Sequence, residues 1–219
     1  MHPAEPSTPA VDGKVVGRAI RESVRPLLKE AGFSSFTGRK AWRETEYTID
    51  HVTFRSYNAY NAGVLGCTSY SFTVECGVFY RFSDPSLTRP QDHHCTFRAI
   101  LGKTIHQPFF ATEWGPAQDR PEILYVLPDG ANLSEMIDES RELLGAQGFP
   151  FIDHYNDPQE AFASLLNERM SDVNFGKPQV MLPGNPDSPA WHEATLAIGH
   201  LIMDDPRPLI RAAPVLHRA

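Results

Sequence analysis

The sequence predicts an α+β domain: an antiparallel β-sheet of four or five strands, an N-terminal helix packed on one face, and a helical C-terminal third. Three observations predict it. Between Ser71 and Phe82 the apolar Phe72, Val74, Cys76, Val78, Tyr80 and Phe82 alternate with the mostly polar Ser71, Thr73, Glu75, Gly77, Phe79 and Arg81. That period of two belongs to an antiparallel strand with one wet face; a parallel sheet covered on both sides would give an unbroken apolar run. Between Lys14 and Ala31, Val16, Ala19, Ile20, Val24, Leu27, Leu28 and Ala31 recur at helical spacing, with Arg18, Arg21, Glu22, Arg25 and Lys29 mostly on the other side. Such a stripe needs an apolar surface to cover it, and the alternating strands supply one. Finally, strand-like segments precede helix-like ones, the order of an α+β layer fold.

Taken in order, residues 1–11 are rich in proline and have no periodicity, which predicts a flexible arm. Asp12 is placed to cap the first helix, Pro26 to kink it or start a new turn, and Gly32 to end it in a left-handed conformation. Arg39–Glu44 and Ile49–Tyr57 are expected as strands, the second with Asp50, Val52, Phe54 and Ser56 on one side and Ile49, His51, Thr53, Arg55 and Tyr57 on the other. Asn58–Cys67, with two glycines and two asparagines, predicts a long hairpin loop. After the Ser71–Phe82 strand, Ser83–His94 holds two prolines and is a connection. Further strands are expected over Cys95–Leu101 and Ile123–Leu127.

The last third changes period. Asn132 with Glu135 has the spacing of a capping box, and Leu133, Met136, Ile137, Leu143 and Leu144 follow on one helical face up to Gly145 and Gly148. A second helix is expected from Asp157 and Pro158, burying Ala161, Phe162, Leu165 and Leu166. A third is expected from Ser188 and Pro189 to the residues before Asp205, carrying Trp191 and Leu196, and residues 206–219 read as a surface tail. The expected organisation is one domain over residues 12–205 between two terminal extensions.

The run RPLLKEAGFSSFTGRKAWRE, a polar-aromatic strand, and then SFTVECGVFY resemble the bacterial family catalogued as domain of unknown function 4304. The resemblance covers the first helix, Arg39, Trp42 and the Ser71–Phe82 strand, and more loosely Trp114 and the C-terminal half. It implies a fold and no chemistry, because the pattern consists of structural residues.

Composition narrows the function. A net charge of -7 argues against nucleic acid or an anionic membrane as the main partner, since both need a basic surface. No apolar run approaches the ~20 residues of a spanning helix. Three cysteines, an odd number, with no charged-then-apolar leader ahead of them, predict reduced thiols and a cytoplasmic setting.

Several constellations invite chemistry. His93, His94 and Cys95, with His106 eleven positions further from Cys95, come nearest to a metal-ligand set, but neighbours on an extended chain point to opposite sides, and no metal or cofactor is expected. Cys76 lies on an apolar strand face and reads as core, and Cys67 as the end of a loop. Asp153 and His154 could form an acid-base pair within the polar stretch before Asp157; the plainer alternative is loop polarity. His192, Glu193 and His200 read as the wet side of the last helix. The set of interest is Arg43, His51, Arg55, Tyr57, Glu75 and Arg81, which antiparallel pairing can gather on the sheet face left free by the first helix. Arginine beside aromatic rings suits a carboxylate, a phosphate or a protein partner; a solvated face with cross-strand ion pairs is the plainer reading.

No catalytic residue can be named. The sequence lacks a glycine-rich phosphate loop, a nucleophile elbow, a His-Glu-x-x-His and a Cys-x-x-Cys. The expectation is a non-enzymatic ligand- or protein-binding domain, one specific form being an immunity-type protein that neutralises a basic toxin. The alternative is an enzyme with its site on the polar sheet face or around His154.

Overall fold

In the computed structural model, which describes residues 11–81, 83–102 and 120–161 and the backbone of 179–180, Asp12 opens the first helix as expected. Its carboxylate accepts from the Lys14 and Val15 N–H groups at 2.8 and 2.9 Å, satisfying donors that a helix start leaves unpaired. The helix comes in two pieces, α1 (Gly13–Ser23) and α2 (Arg25–Glu30). Pro26 sits in the first turn of α2, where its missing N–H costs nothing. Gly32, at φ 88°, turns the chain into the sheet. Val16, Ile20, Val24 and Leu28 are buried along the stripe that the sequence marks.

The strands β1 (Ser35–Thr37), β2 (Lys40–Glu44), β3 (Thr48–Ser56), β4 (Phe72–Tyr80) and β5 (Phe97–Ile100) form an antiparallel sheet in chain order, and β6 (Gln179–Val180) adds two residues beyond β5. The long strands β3 and β4 pair over their whole length, from Thr48 opposite Tyr80 to Ser56 opposite Phe72. The short β1 is absent from the sequence expectation. Residues Asn58–Cys67 do not form a hairpin loop: they hold the helix α3 (Ala59–Leu65). The two asparagines and two glycines that suggest a loop partly serve this helix, since Asn58 accepts from the Asn61 N–H at 2.7 Å and Gly66 ends it at φ 67°. The expected strand Ile123–Leu127 is reduced to one bridge, in which Leu124 and Phe72 exchange backbone hydrogen bonds of 2.9 and 3.2 Å.

Gly145 and Gly148 do not stop the late helix either. The helix α4 (Leu133–Leu143) runs through a π-helical turn (Leu144–Gly148) into α5 (Phe149–Asn156). Gly148 is used for close approach: a Cβ there would lie 3.1 Å from both Cys76 Sγ and a Leu101 methyl, so the helix lies against the sheet at that point. Asn132 makes no capping box. Its amide instead accepts from the Leu127 N–H at 2.9 Å and donates to the Tyr125 carbonyl at 2.8 Å, fastening the preceding loop. Asp153–Asn156 are therefore helical, and only Asp157 acts as the expected cap, accepting from the Gln159 N–H at 2.8 Å.

The core between sheet and helices joins Val52, Phe54, Val74 and Val78 to Ile20, Leu28, Leu144 and Ile152. The opposite sheet face, expected to be wet, is not open. All nine residues of β4 are buried, because the connection Ser83–Thr96 returns as a strap across β2, β3 and β4. Trp42, Ile49, Phe79 and Cys95, with Leu87, make a second small core beneath it. Gly77 makes this possible, since a Cβ on it would fall 2.5 Å from Cys95 Sγ. Among the described residues no helix is long and apolar enough to cross a membrane. The expectations for residues 1–10, Phe82, His106, Trp114, Phe162–Leu166 and 188–219 lie outside the described residues.

Candidate functional site

Alternation divides the six expected site residues. Trp42 stands opposite His51 and Arg43 opposite Asp50, so Trp42 and His51 share the strap face while Arg43 faces the helices. Arg43 is accordingly not part of a polar face with the others: its guanidinium contacts Asp50 at 2.7 Å, the Ala31 carbonyl at 2.9 Å and Asp153 at 3.0 Å. Tyr57, past the end of β3, is half-buried beside Thr73, and burial pushes its hydroxyl pKa up. Arg81 lies past the end of β4, paired with Glu44 at 2.9 Å. His51, Arg55 and Glu75 remain together. Arg55 Nε lies 3.1 Å from a Glu75 oxygen, the diagonal cross-strand pair that alternation allows.

Of this trio Arg55 lines an open groove of about 600 Å³ between the strap and the β1–β2 turn. It is lined by Arg39 of the turn, whose guanidinium itself reaches away to α1, by Lys40 at the start of β2, Arg55 from β3, and Arg89, Gln91 and Asp92 from the strap. The strap is held at four points. Trp42 Nε1 donates to the Pro90 carbonyl at 2.7 Å, and the Arg89 guanidinium lies 5.7 Å from the centre of a Trp42 ring. Lys40 donates to the Gln91 side-chain carbonyl, and Arg55 to the Asp92 carboxylate. Gln91 also receives structure locally, its N–H donating to His94 Nδ1 at 2.9 Å to close the short 3₁₀ turn Asp92–His94.

The electrostatics of the groove differ from those of the whole chain. Burial opposes ionisation of Asp92, yet Arg55 outweighs it and holds the carboxyl below its ordinary range. For Glu75 burial wins and its pKa rises, with Arg55 opposing. Arg39 donates to the Gly13 carbonyl of α1 at 2.6 Å, while its buried Nη1 has no hydrogen-bond partner among the described residues. Neither Arg39, Lys40 nor Arg89 has a carboxylate partner among the described residues.

His51 lies buried against Trp42, one of the groove's lining residues. It is 1% exposed, stacks on Trp42 at 5.4 Å, and neither ring nitrogen has a hydrogen-bond partner among the described residues. Burial, then the cations Lys40 and Arg55, push its pKa down to about 4, so the ring is neutral near pH 7.

The other constellations resolve into structure. His154 is 3.9 Å from Glu160, while Asp153 turns to Arg43, so the two do not form an acid-base pair. The His93 and His94 rings lie 3.9 Å apart, tilted by 46°, and the Cys95 thiol donates to the Gln91 carbonyl at 3.4 Å. Burial pushes the Cys76 and Cys95 thiols up, away from nucleophilic use.

Sequence reasoning did not find Arg39, Lys40, Arg89, Gln91 and Asp92 as a group. Arg39 and Lys40 are visible as adjacent cations after Gly38, and Arg89 as a cation beside a proline. Nothing local says that the two segments meet. Comparison with protein-family models, with curated proteins and with solved structures finds no match to this chain. The site is therefore read from its geometry alone.

Proposed function

We propose that this protein is a non-enzymatic ligand- or protein-binding domain whose strap-side groove receives an anionic group. The observation that supports this reading is charge segregation: a chain of net charge -7 places Lys40, Arg55 and Arg89 on one groove and leaves Lys40 and Arg89 without a carboxylate among the described residues. Unpaired cations at a half-enclosed surface raise the local concentration of anions and offer them charge-assisted hydrogen bonds. The volume also falls within the ~300–1,000 Å³ usual for ligand sites. This groove favours an acidic ligand over the basic toxin that an immunity-type role would require.

The test is capture from native cytosol, with both proteins and small molecules identified, using wild type and the Lys40→Ala/Arg89→Ala double variant. Loss of two anchoring cations is expected to weaken the true ligand by ~2 kcal/mol or more, about thirtyfold; because Lys40 and Arg89 also help to hold the strap, melting temperatures are measured alongside. Identical captured ligands with matched melting curves would retire the reading.

A further inference from the structure

We infer that the anionic group belongs to an extended acidic peptide segment, which adds as a strand to the outer edge of β1 and sends alternate side chains to the two faces of the sheet. The inference rests on the anion-binding reading of the groove and names the partner that carries the anion. β1 is the last strand on its side of the sheet: Ser35–Thr37 pairs with β2, and among the described residues no strand lies on its other edge. Such an edge offers backbone N–H and C=O groups to a further extended segment.

The two clefts beside this edge select the partner. Thr37 pairs with Lys40 and Phe36 with Ala41. Thr37 therefore shares the strap face with Lys40, while Phe36 faces the helices. On the strap face lies the groove, with Lys40 and Arg89. On the helix face a smaller cleft is lined by Phe36, Arg21 and Arg25, and it shares Gly38, Lys40 and Phe54 with the groove. The Arg25 guanidinium lies 4.8 Å from the centre of the Phe36 ring. Neither Arg21 nor Arg25 has a carboxylate partner among the described residues. The turn between the clefts is bare: Gly38 is exposed, and a Cβ on it would meet nothing within 4 Å. Arg39 pins that turn to α1 through the Gly13 carbonyl and is not counted among the cations that meet the partner.

A strand added beside β1 turns successive side chains to opposite faces, so one carboxylate is directed to the side of Lys40 and Arg89 and the next to the side of Arg21 and Arg25. A small anion meets only one of these sets. The helix-side cleft has room for about 10 Å³, the size of one water, and so admits the tip of a side chain and not a separate ligand. The net charge of -7 repels a long polyanion from the rest of the surface, which favours a short acidic stretch of polypeptide over nucleic acid.

The probe is a labelled, end-blocked peptide of sequence EVEEVEEVE, read by fluorescence anisotropy at neutral pH and fixed ionic strength. It is compared with the same peptide N-methylated at every central residue, which keeps the charges and removes strand pairing, with its lysine counterpart, and with oligothymidylate of equal charge. The full chain is used as wild type, Arg25→Ala and Lys40→Ala, each with its melting temperature. The acidic peptide is expected to bind at least tenfold more tightly than the N-methylated, lysine or oligothymidylate probes. Arg25→Ala and Lys40→Ala should each loosen it at least threefold, because the two cations stand on opposite faces of the sheet. If a variant melts lower than wild type, the N-methylated comparison on the wild-type chain decides. An N-methylated peptide as tight as its parent would overturn the strand addition, as would an affinity that depends on Lys40 and not on Arg25; either leaves the anion-binding groove standing. Oligothymidylate as tight as the peptide would overturn the peptide as partner. No binding of any acidic probe would overturn both this inference and the anion-binding reading.

Discussion

Arg43 and Asp50 face each other across β2 and β3, with the guanidinium Nε 2.7 Å from a carboxylate that solvent does not reach. Asp50 also accepts from the Asn156 amide at 3.1 Å, and Arg43 continues to the Ala31 carbonyl and to Asp153. One buried pair thus joins two strands, the end of the first helical stretch, and α5. Burial pushes the Asp50 pKa up, and the Arg43 contact opposes that rise.

Arg43→Ala would leave Asp50 buried without its counter-charge. Breaking a buried pair from one side costs ~3–5 kcal/mol, against ~1 kcal/mol or less for an exposed pair such as Arg81 with Glu44. Urea unfolding of Arg43→Ala and Arg81→Ala should show that contrast. Equal, small losses would mean that the Arg43 network does not hold the helices to the sheet.

His51 makes stability depend on pH. Unfolded, its imidazole takes a proton near pH 6.5, while in the folded protein it does so only near pH 4. Between those values the unfolded state binds more protons, so the contribution is complete above pH 6.5 and is lost as pH falls towards 4. The total is about 3 kcal/mol. His51→Phe keeps a ring against Trp42 and removes the titration. Its unfolding free energy between pH 7 and pH 4 should therefore fall less than that of wild type by about that amount. Parallel pH profiles would show that His51 is not buried and neutral.

Gly77 is required by contact. A methyl group there meets Cys95 Sγ at 2.5 Å and Cys95 Cβ at 2.8 Å, so Gly77→Ala must shift the strap. Overpacking of this kind costs ~1–3 kcal/mol. The loss should be smaller when Cys95→Ala is already present, because the two sites are in contact and do not add. A full, additive loss in the double variant would place the clash elsewhere.

The alternation of β4 and the stripe ending at Leu28 were legible because each residue reports on one neighbour surface. Both lie buried on the faces that their periodicity assigns. The strap was not legible. Its residues Ser83–His94 have no period, and their place over Trp42 and His51 comes from long-range bonds such as Trp42 Nε1 to the Pro90 carbonyl, 48 residues apart. Arg55 and Glu75 were found together because they sit on adjoining strands. Arg89 and Lys40 were not, because their proximity depends on the strap. Gly148 and Asn132 misled for another reason: each has a common local role, helix stop or cap, that tertiary contact replaced with another.

The most direct measurement is an amide chemical-shift titration of the wild-type chain with inorganic phosphate at constant ionic strength. The account predicts saturable shifts concentrated at Thr37–Lys40, Arg55 and Arg89–Asp92, and their loss in Lys40→Ala/Arg89→Ala. Shifts scattered over the surface without saturation, or the same pattern in the double variant, would contradict it.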